Sequence, residues 1–133
     1  MVDGNIRVVH KGGDLFELVV REHSLFADQP VDSGGTDAAP TPVELFVSSL
    51  ASCVALYACR YLVRHGLPTA GLAVEADFTM GERPTRVGMI GLSITIPPGV
   101  PEARRHPLLA VASHCTVHNS LEQPPEVTIR IAA

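Results

Sequence analysis

Residues 41–66, TPVELFVSSLASCVALYACRYLVRHG, restrict this chain more than any other stretch. Thr41 suits an N-cap. Pro42 takes the first helical position, where a missing N–H costs nothing, and Glu44 stands three residues after the cap to close a capping box. At the far end Arg64 and His65 fall in the last turn, Gly66 fits a left-handed C′ position, and Pro68 forbids continuation. One helix of about 24 residues follows, about 36 Å long at ~1.5 Å per residue. Its apolar residues, among them Leu45, Phe46, Val47, Leu50, Val54, Leu56, Leu62 and Val63, go all the way round, so the helix is expected to be buried on all sides. A membrane span is the competing reading by length. Ser48, Ser49, Ser52 and above all Arg60 oppose it, and no membrane partner is expected. A compact chain of this size has a radius of gyration of about 14 Å. That is too small to wrap the rod, so a second copy of the chain is expected to complete its burial.

At 133 residues the chain fits a single domain, 1–133, large enough for a real core. Only 18% of residues are charged, which marks a packed globular protein rather than a disordered one. The formal net charge of −4 and the scattered Lys and Arg argue against nucleic acid as a partner. The opening MVDGNIRVVHKGG has neither the basic region nor the apolar core of a secretion signal, so a cytoplasmic location is expected. In a reducing compartment three cysteines do not build a disulfide framework. Any sulfur chemistry would be catalytic or redox-sensing.

Along the chain, residues 6–10 and 15–21 read as strands joined by the Lys11-Gly12-Gly13-Asp14 turn, and residues 24–27 add a third short strand. The segment 28–40, DQPVDSGGTDAAP, has no period and is full of turn formers; loops this long in compact domains are often functional. After the helix, Leu72, Val74, Ala76, Phe78 and Met80 alternate with polar or small residues. The Gly81-Glu82-Arg83-Pro84 turn leads to Ile90, Leu92, Ile94 and Ile96 in the same alternation, which predicts a long antiparallel hairpin. Residues 101–113 read as helix, with Pro107 forcing a kink or a fresh start. A short turn or helix over 115–121 follows, and Val127, Ile129 and Ile131 predict a closing strand. The order β-β-(β)-α-β-β-α-α-β belongs to the α+β class.

Cys53 lies mid-helix, beyond the reach of the helix dipole, and burial would raise its pKa. Read alone it is a small core residue. Cys115 changes the picture, because it sits where a helix ends, flanked by His114 and His118. If that helix packs on the first, the two thiols can meet. A thiolate could then open a peroxide O–O bond to give a sulfenic acid, and the second thiol could condense with it to a disulfide. An external thiol would reopen that disulfide. Cys59, about 120° round the helix from Cys53, reads as core. His114, Cys115 and His118 also invite a metal reading, but the second ligand pair of a zinc signature is missing, and neither metal nor cofactor is expected.

The Gly-Gly loop, Pro42-x-Glu44-Leu45-Phe46, Ser-Leu-Ala-Ser-Cys53 and His114-Cys115-x-x-His118-Asn119-Ser120-Leu121 together resemble the OsmC/Ohr family, the osmotically inducible and organic hydroperoxide resistance proteins. The resemblance covers nearly the whole chain. It implies an OsmC-like fold in an intertwined homodimer, with the long helices packed centrally. It further implies Cys53 as the peroxide-attacking thiol, Cys115 as its resolving partner, organic hydroperoxides as substrates, and a dithiol such as a protein-bound lipoyl group as reductant. The alternative is a non-catalytic dimer that binds an apolar ligand or senses redox state. Members of that family place Glu directly after the motif Pro, where this chain has Val43, and an Arg in the first hairpin or the loop before the helix. Here Glu44 falls one residue later and points about 100° away. The chain therefore resembles a divergent branch, with Arg7, Arg21, His114 and Glu44 as candidate thiolate-stabilising groups.

Overall fold

The computed structural model describes residues 2–132. Its contacts divide the chain into two compact units, Met1–Val47 and Ser48–Ala133, with the long helix beginning in one and continuing in the other. The class is α+β, as the order of elements predicted.

In the first unit, β1 (Ile6–Gly12), β2 (Leu15–Val20) and β3 (His23–Ala27) form an antiparallel sheet in the order β1-β2-β3. Gly12 and Gly13, both at positive φ, turn the first hairpin, and Arg21 at φ 53° turns the second. The loop 28–40 is organised by one carboxylate. Asp28 is 1% exposed and accepts hydrogen bonds from the backbone N–H groups of Gln29 at 2.7 Å, Ala38 at 3.0 Å and Thr36 at 3.4 Å, and from the Thr36 hydroxyl at 2.9 Å. The Asp28 N–H in turn donates to the Pro40 carbonyl at 3.0 Å, so the two ends of the loop are tied together. Gly35 is required here, since a methyl group at that position would collide with the Gln29 carbonyl.

Helix α1 (Pro42–Arg64) starts with the capping box read from the sequence: the Glu44 N–H donates to Thr41 Oγ1 at 3.0 Å, and the Thr41 N–H donates to Glu44 Oε1 at 2.9 Å. It ends as expected too. Gly66 adopts φ 64°, and the Leu67 N–H reaches back to the Leu62 carbonyl at 2.8 Å, the bond pattern of a left-handed helix stop.

The second unit packs β4 (Ala73–Gly81), β5 (Arg86–Thr95), α2 (Arg105–Ala112) and α3 (Thr116–Glu122) with the main length of α1. Strands β4 and β5 form a two-stranded antiparallel sheet with a bulge at Thr79/Met80. Residues 102–104 make a 3₁₀ turn before α2, which puts Pro107 in the first turn of a fresh helix, where it disturbs no bond. The core joins Leu50, Val54, Ala58, Tyr61 and Leu62 of α1 to Leu108, Ala112 and Cys115, with Val74, Ile90, Leu92 and Ile94 packed against them.

The α1 core residues recur every three to four positions along one stripe, whereas Leu56 is 44% and Val63 64% exposed, so a single chain leaves part of the helix uncovered. One layer of secondary structure can cover only one face of a rod. One expectation is corrected. The closing strand does not form: residues 124–132 adopt no regular structure, and Val127, Ile129 and Ile131 are 73%, 93% and 97% exposed. A strand is held by a neighbour's backbone groups, and neither sheet, each complete without this segment, pairs with it.

Candidate functional site

The site lies wholly in the second unit, where α1 meets the joint between α2 and α3. That joint is tightly braced. The Ser113 N–H and Oγ both donate to the Leu109 carbonyl, at 2.9 and 2.7 Å, while His118 Nδ1 lies 2.6 Å from the Ser113 carbonyl. Asn119 Nδ2 donates to the His114 carbonyl at 3.3 Å. In this frame Cys115 is the N-cap of α3. Its backbone is extended, and its Sγ accepts the His118 N–H at 3.4 Å, a position more often held by Ser or Asp. The side chain is 0% exposed.

Opposite it on α1 is Cys53, half-buried at the edge of the core stripe. It packs against the core cluster that contains Cys115 and is close enough to act on that thiol. Burial pushes the Cys115 thiol above its ordinary pKa, and the hydrogen bond and charge of Cys53 add to the rise. The backbone N–H groups of His118 and Val117 pull the other way without reversing it. Both cysteines are free thiols, as is Cys59. Two thiols 62 positions apart in sequence are therefore brought to the same part of the core.

One helical turn beyond Cys53, on the same face, the Tyr57 hydroxyl and Thr116 Oγ1 make a 2.6 Å hydrogen bond, joining α1 to the residue that follows Cys115. Neither residue is singled out from the sequence. The available signal was the i+4 spacing of Tyr57 from Cys53. Beside the pair is a cavity of about 470 Å³ whose largely apolar wall, with Val54, Ile94 and Leu108, also includes Arg105, His106 and His118. Val54 follows Cys53 and His118 donates to Cys115, so the cavity abuts residues next to both sulfurs.

The other candidates are placed as follows. Arg7, on β1, and Arg21, in the turn after β2, are exposed residues of the first unit. Glu44 belongs to that unit as well, and its carboxylate is engaged by the Thr41 N–H in the capping box. His114 is exposed beside Cys115, with Nδ1 2.8 Å from the Ala110 carbonyl. Among the described residues no three His, Cys, Asp or Glu side chains, His114, Cys115 and His118 included, converge as a metal would need. Their backbone bonds explain this, since each His points a ring nitrogen at a carbonyl of the α2 end.

An α+β frame that presents a half-buried thiol on a long helix to a fully buried one at the cap of a short helix defines a two-cysteine protein of the OsmC type. A family model described as OsmC-like protein matches residues 34–130. The chain belongs to the OsmC-like family. Solved structures share the fold at low identity. A candidate osmotic stress induced and detoxification response protein from Psychrobacter arcticus 273-4 superimposes with a TM-score of 0.80 at 24% identity, covering 86% of this chain and 85% of that one. An organic hydroperoxide resistance protein OsmC from Legionella pneumophila does so with a TM-score of 0.68 at 17% identity, covering 91% of each. An OsmC-like protein from Mycoplasma pneumoniae gives 0.78 at 16%, covering 92% and 89%. No curated protein matches the chain by sequence.

Proposed function

We propose that this chain is a thiol-dependent peroxidase that reduces organic hydroperoxides through Cys53 and Cys115. The observation that carries the reading is the proximity of two free thiols of unequal exposure, one half-buried and one fully buried. Cys53 is the one a solute can reach, and protonated Cys115 is a hydrogen-bond donor beside it. The Cys53 thiolate attacks the distal oxygen of ROOH, the O–O bond breaks, and the alkoxide takes up a proton to leave as ROH, with Cys53 as sulfenic acid. The Cys115 sulfur then attacks the Cys53 sulfur. The S–O bond breaks, the departing hydroxide takes the Cys115 proton, and water and a disulfide result. An external dithiol, such as a lipoyl group, restores both thiols by exchange and is itself oxidised to a disulfide.

The apolar cavity beside the pair suits the carbon part of a hydrophobic hydroperoxide. The name of the Legionella relative, an organic hydroperoxide resistance protein, supports the same substrate class. The protein works as a cytoplasmic homodimer: the exposed apolar face of α1 and the unpaired, alternating tail 126–131 are both surfaces that a second copy would cover. Cumene hydroperoxide and dihydrolipoamide test the reading. The wild-type protein should consume both in equal amounts, and Cys53→Ser should abolish consumption. A wild-type protein that leaves the peroxide untouched refutes the peroxidase and returns the cavity to a binding role.

A further inference from the structure

Cys115 is buried, yet the second step of the cycle needs its sulfur aligned with the S–O bond that forms on Cys53. Alignment across two helices is a matter of how α3 is held on α1. The joint that carries Cys115 is braced to α2 by Ser113, His118 and Asn119, but those bonds fix it to its own neighbours, not to α1. The Tyr57 hydroxyl does bridge the two, from the face of α1 that carries Cys53 to the first residue of α3, next to Cys115. Its 2.6 Å length is at the short end for O–H···O bonds. Both partners touch solvent, so the bond is not needed to satisfy a buried group; without it each hydroxyl would find water.

We propose that Tyr57 and Thr116 are positioning residues that clamp the Cys115 end of α3 onto α1 and so set how readily Cys53 and Cys115 close to a disulfide. The kinetic consequence rests on the peroxidase reading. Once Cys53 is a sulfenic acid, Cys115 competes with a second peroxide molecule, and a loosened clamp lets that molecule win and carry Cys53 to sulfinic acid. The equilibrium consequence is independent of that reading, since the same clamp raises the effective concentration of one thiol for the other whatever oxidant is used.

The test is the Cys53–Cys115 disulfide equilibrium in glutathione redox buffers, with the melting temperature followed in parallel. Loss of one hydrogen bond predicts about a fivefold to tenfold drop in effective concentration for Tyr57→Phe. Thr116→Val should cause the same drop, the double variant no further drop, and Thr116→Ser should restore the wild-type value. A general loosening of the fold would instead give additive losses and no rescue by serine. In a peroxide titration, Tyr57→Phe should also shift the product, read by intact mass, from disulfide towards sulfinic acid. An unchanged glutathione equilibrium in both Tyr57→Phe and Thr116→Val overturns the clamp even if the wild-type protein turns over peroxide. Conversely, a protein that never consumes peroxide but shows the predicted equilibrium losses refutes the peroxidase and leaves the clamp standing.

Discussion

The exposed face of α1 makes a quantitative prediction about assembly. Leu56 and Val63 lie off the core stripe, 44% and 64% exposed in a chain whose helix is otherwise apolar. Fully burying such side chains is worth about 1.5–3 kcal/mol each, so the fraction still exposed at each position holds about 1 kcal/mol in reserve. In a two-fold dimer every position counts twice, which makes either substitution to Ser cost about 2 kcal/mol of association, or about 30-fold in Kd, and the pair together about 1000-fold. Sedimentation equilibrium across a dilution series reads this directly. The wild-type protein should have the mass of two chains, and the double variant should dissociate within the accessible range while each chain stays folded by circular dichroism. If the wild-type protein has the mass of one chain at every concentration, or if the double variant associates as tightly as the wild type, α1 is not the seam of a dimer. The helix is also long and apolar enough to cross a membrane, with a mean hydropathy of 1.6, so flotation with lipid vesicles belongs to the same experiment. The dimer reading requires the wild-type protein to stay with the soluble fraction.

Other changes separate the parts of the molecule. Leu62→Ala, at a position with 0% exposure in the core, should lower stability by about 3 kcal/mol and the melting temperature by about 10 °C, read by calorimetry. Gly35→Ala should loosen the 28–40 loop by forcing the Gln29 carbonyl away, seen as faster hydrogen exchange at the Gln29 and Thr36 amides with the α1 core unaffected. The same loop has a pH signature. The N–H groups of Ala38 and Gln29, aided by the hydroxyl and N–H of Thr36, hold the Asp28 carboxyl below its ordinary value. Its contribution is therefore fully present above about pH 4 and is lost as pH falls through the depressed native value. Amide protection in the loop should follow that course in the wild type, and Asp28→Asn should lower it and remove its acid dependence. Cys115→Ser, exposed to excess peroxide, should carry Cys53 to sulfinic acid, measured by intact mass, because nothing intercepts the sulfenic acid.

The sequence made α1 legible because its ends are written in local chemistry. Thr41, Glu44 and Gly66 each act within a turn of themselves, and the structure repeats those bonds. The two hairpins were legible for a related reason, since alternation and turn residues sit close along the chain. What failed was whatever depends on a partner. Val127, Ile129 and Ile131 carry the alternation of a strand, but alternation says only that two faces differ, not that a neighbouring backbone is present to pair with. In the site, the cysteines could be singled out by type and surroundings. Tyr57 and Thr116 could not, because a Tyr on an apolar helix and a Thr at the start of a short one are ordinary until the fold brings their hydroxyls together. Asp28 was hidden in the same way. Its role as the hub of a loop depends on donors up to ten residues away.

The departures from the family pattern take on a physical meaning in this arrangement. An Arg and a Glu beside the attacking sulfur would act on it by charge, at short range and regardless of the second thiol. In this chain the expected Glu position is Val43, and Glu44 is engaged in a cap. Burial and Cys53, opposed by backbone N–H groups, act on Cys115, with no side-chain cation among the groups that shift it. The two sulfurs differ in exposure, and the buried one carries an S–H that can donate to the other. How well it does so depends on how closely α3 is held to α1. Removing the buried thiol should therefore slow the first oxidation of Cys53 as well as the second step. Cys115→Ala should lower the rate of sulfenic acid formation with cumene hydroperoxide, followed by trapping with dimedone, while Cys115→Ser, which retains a donor, should lower it less. Equal first-step rates in wild type and Cys115→Ala would mean that the activating group lies elsewhere.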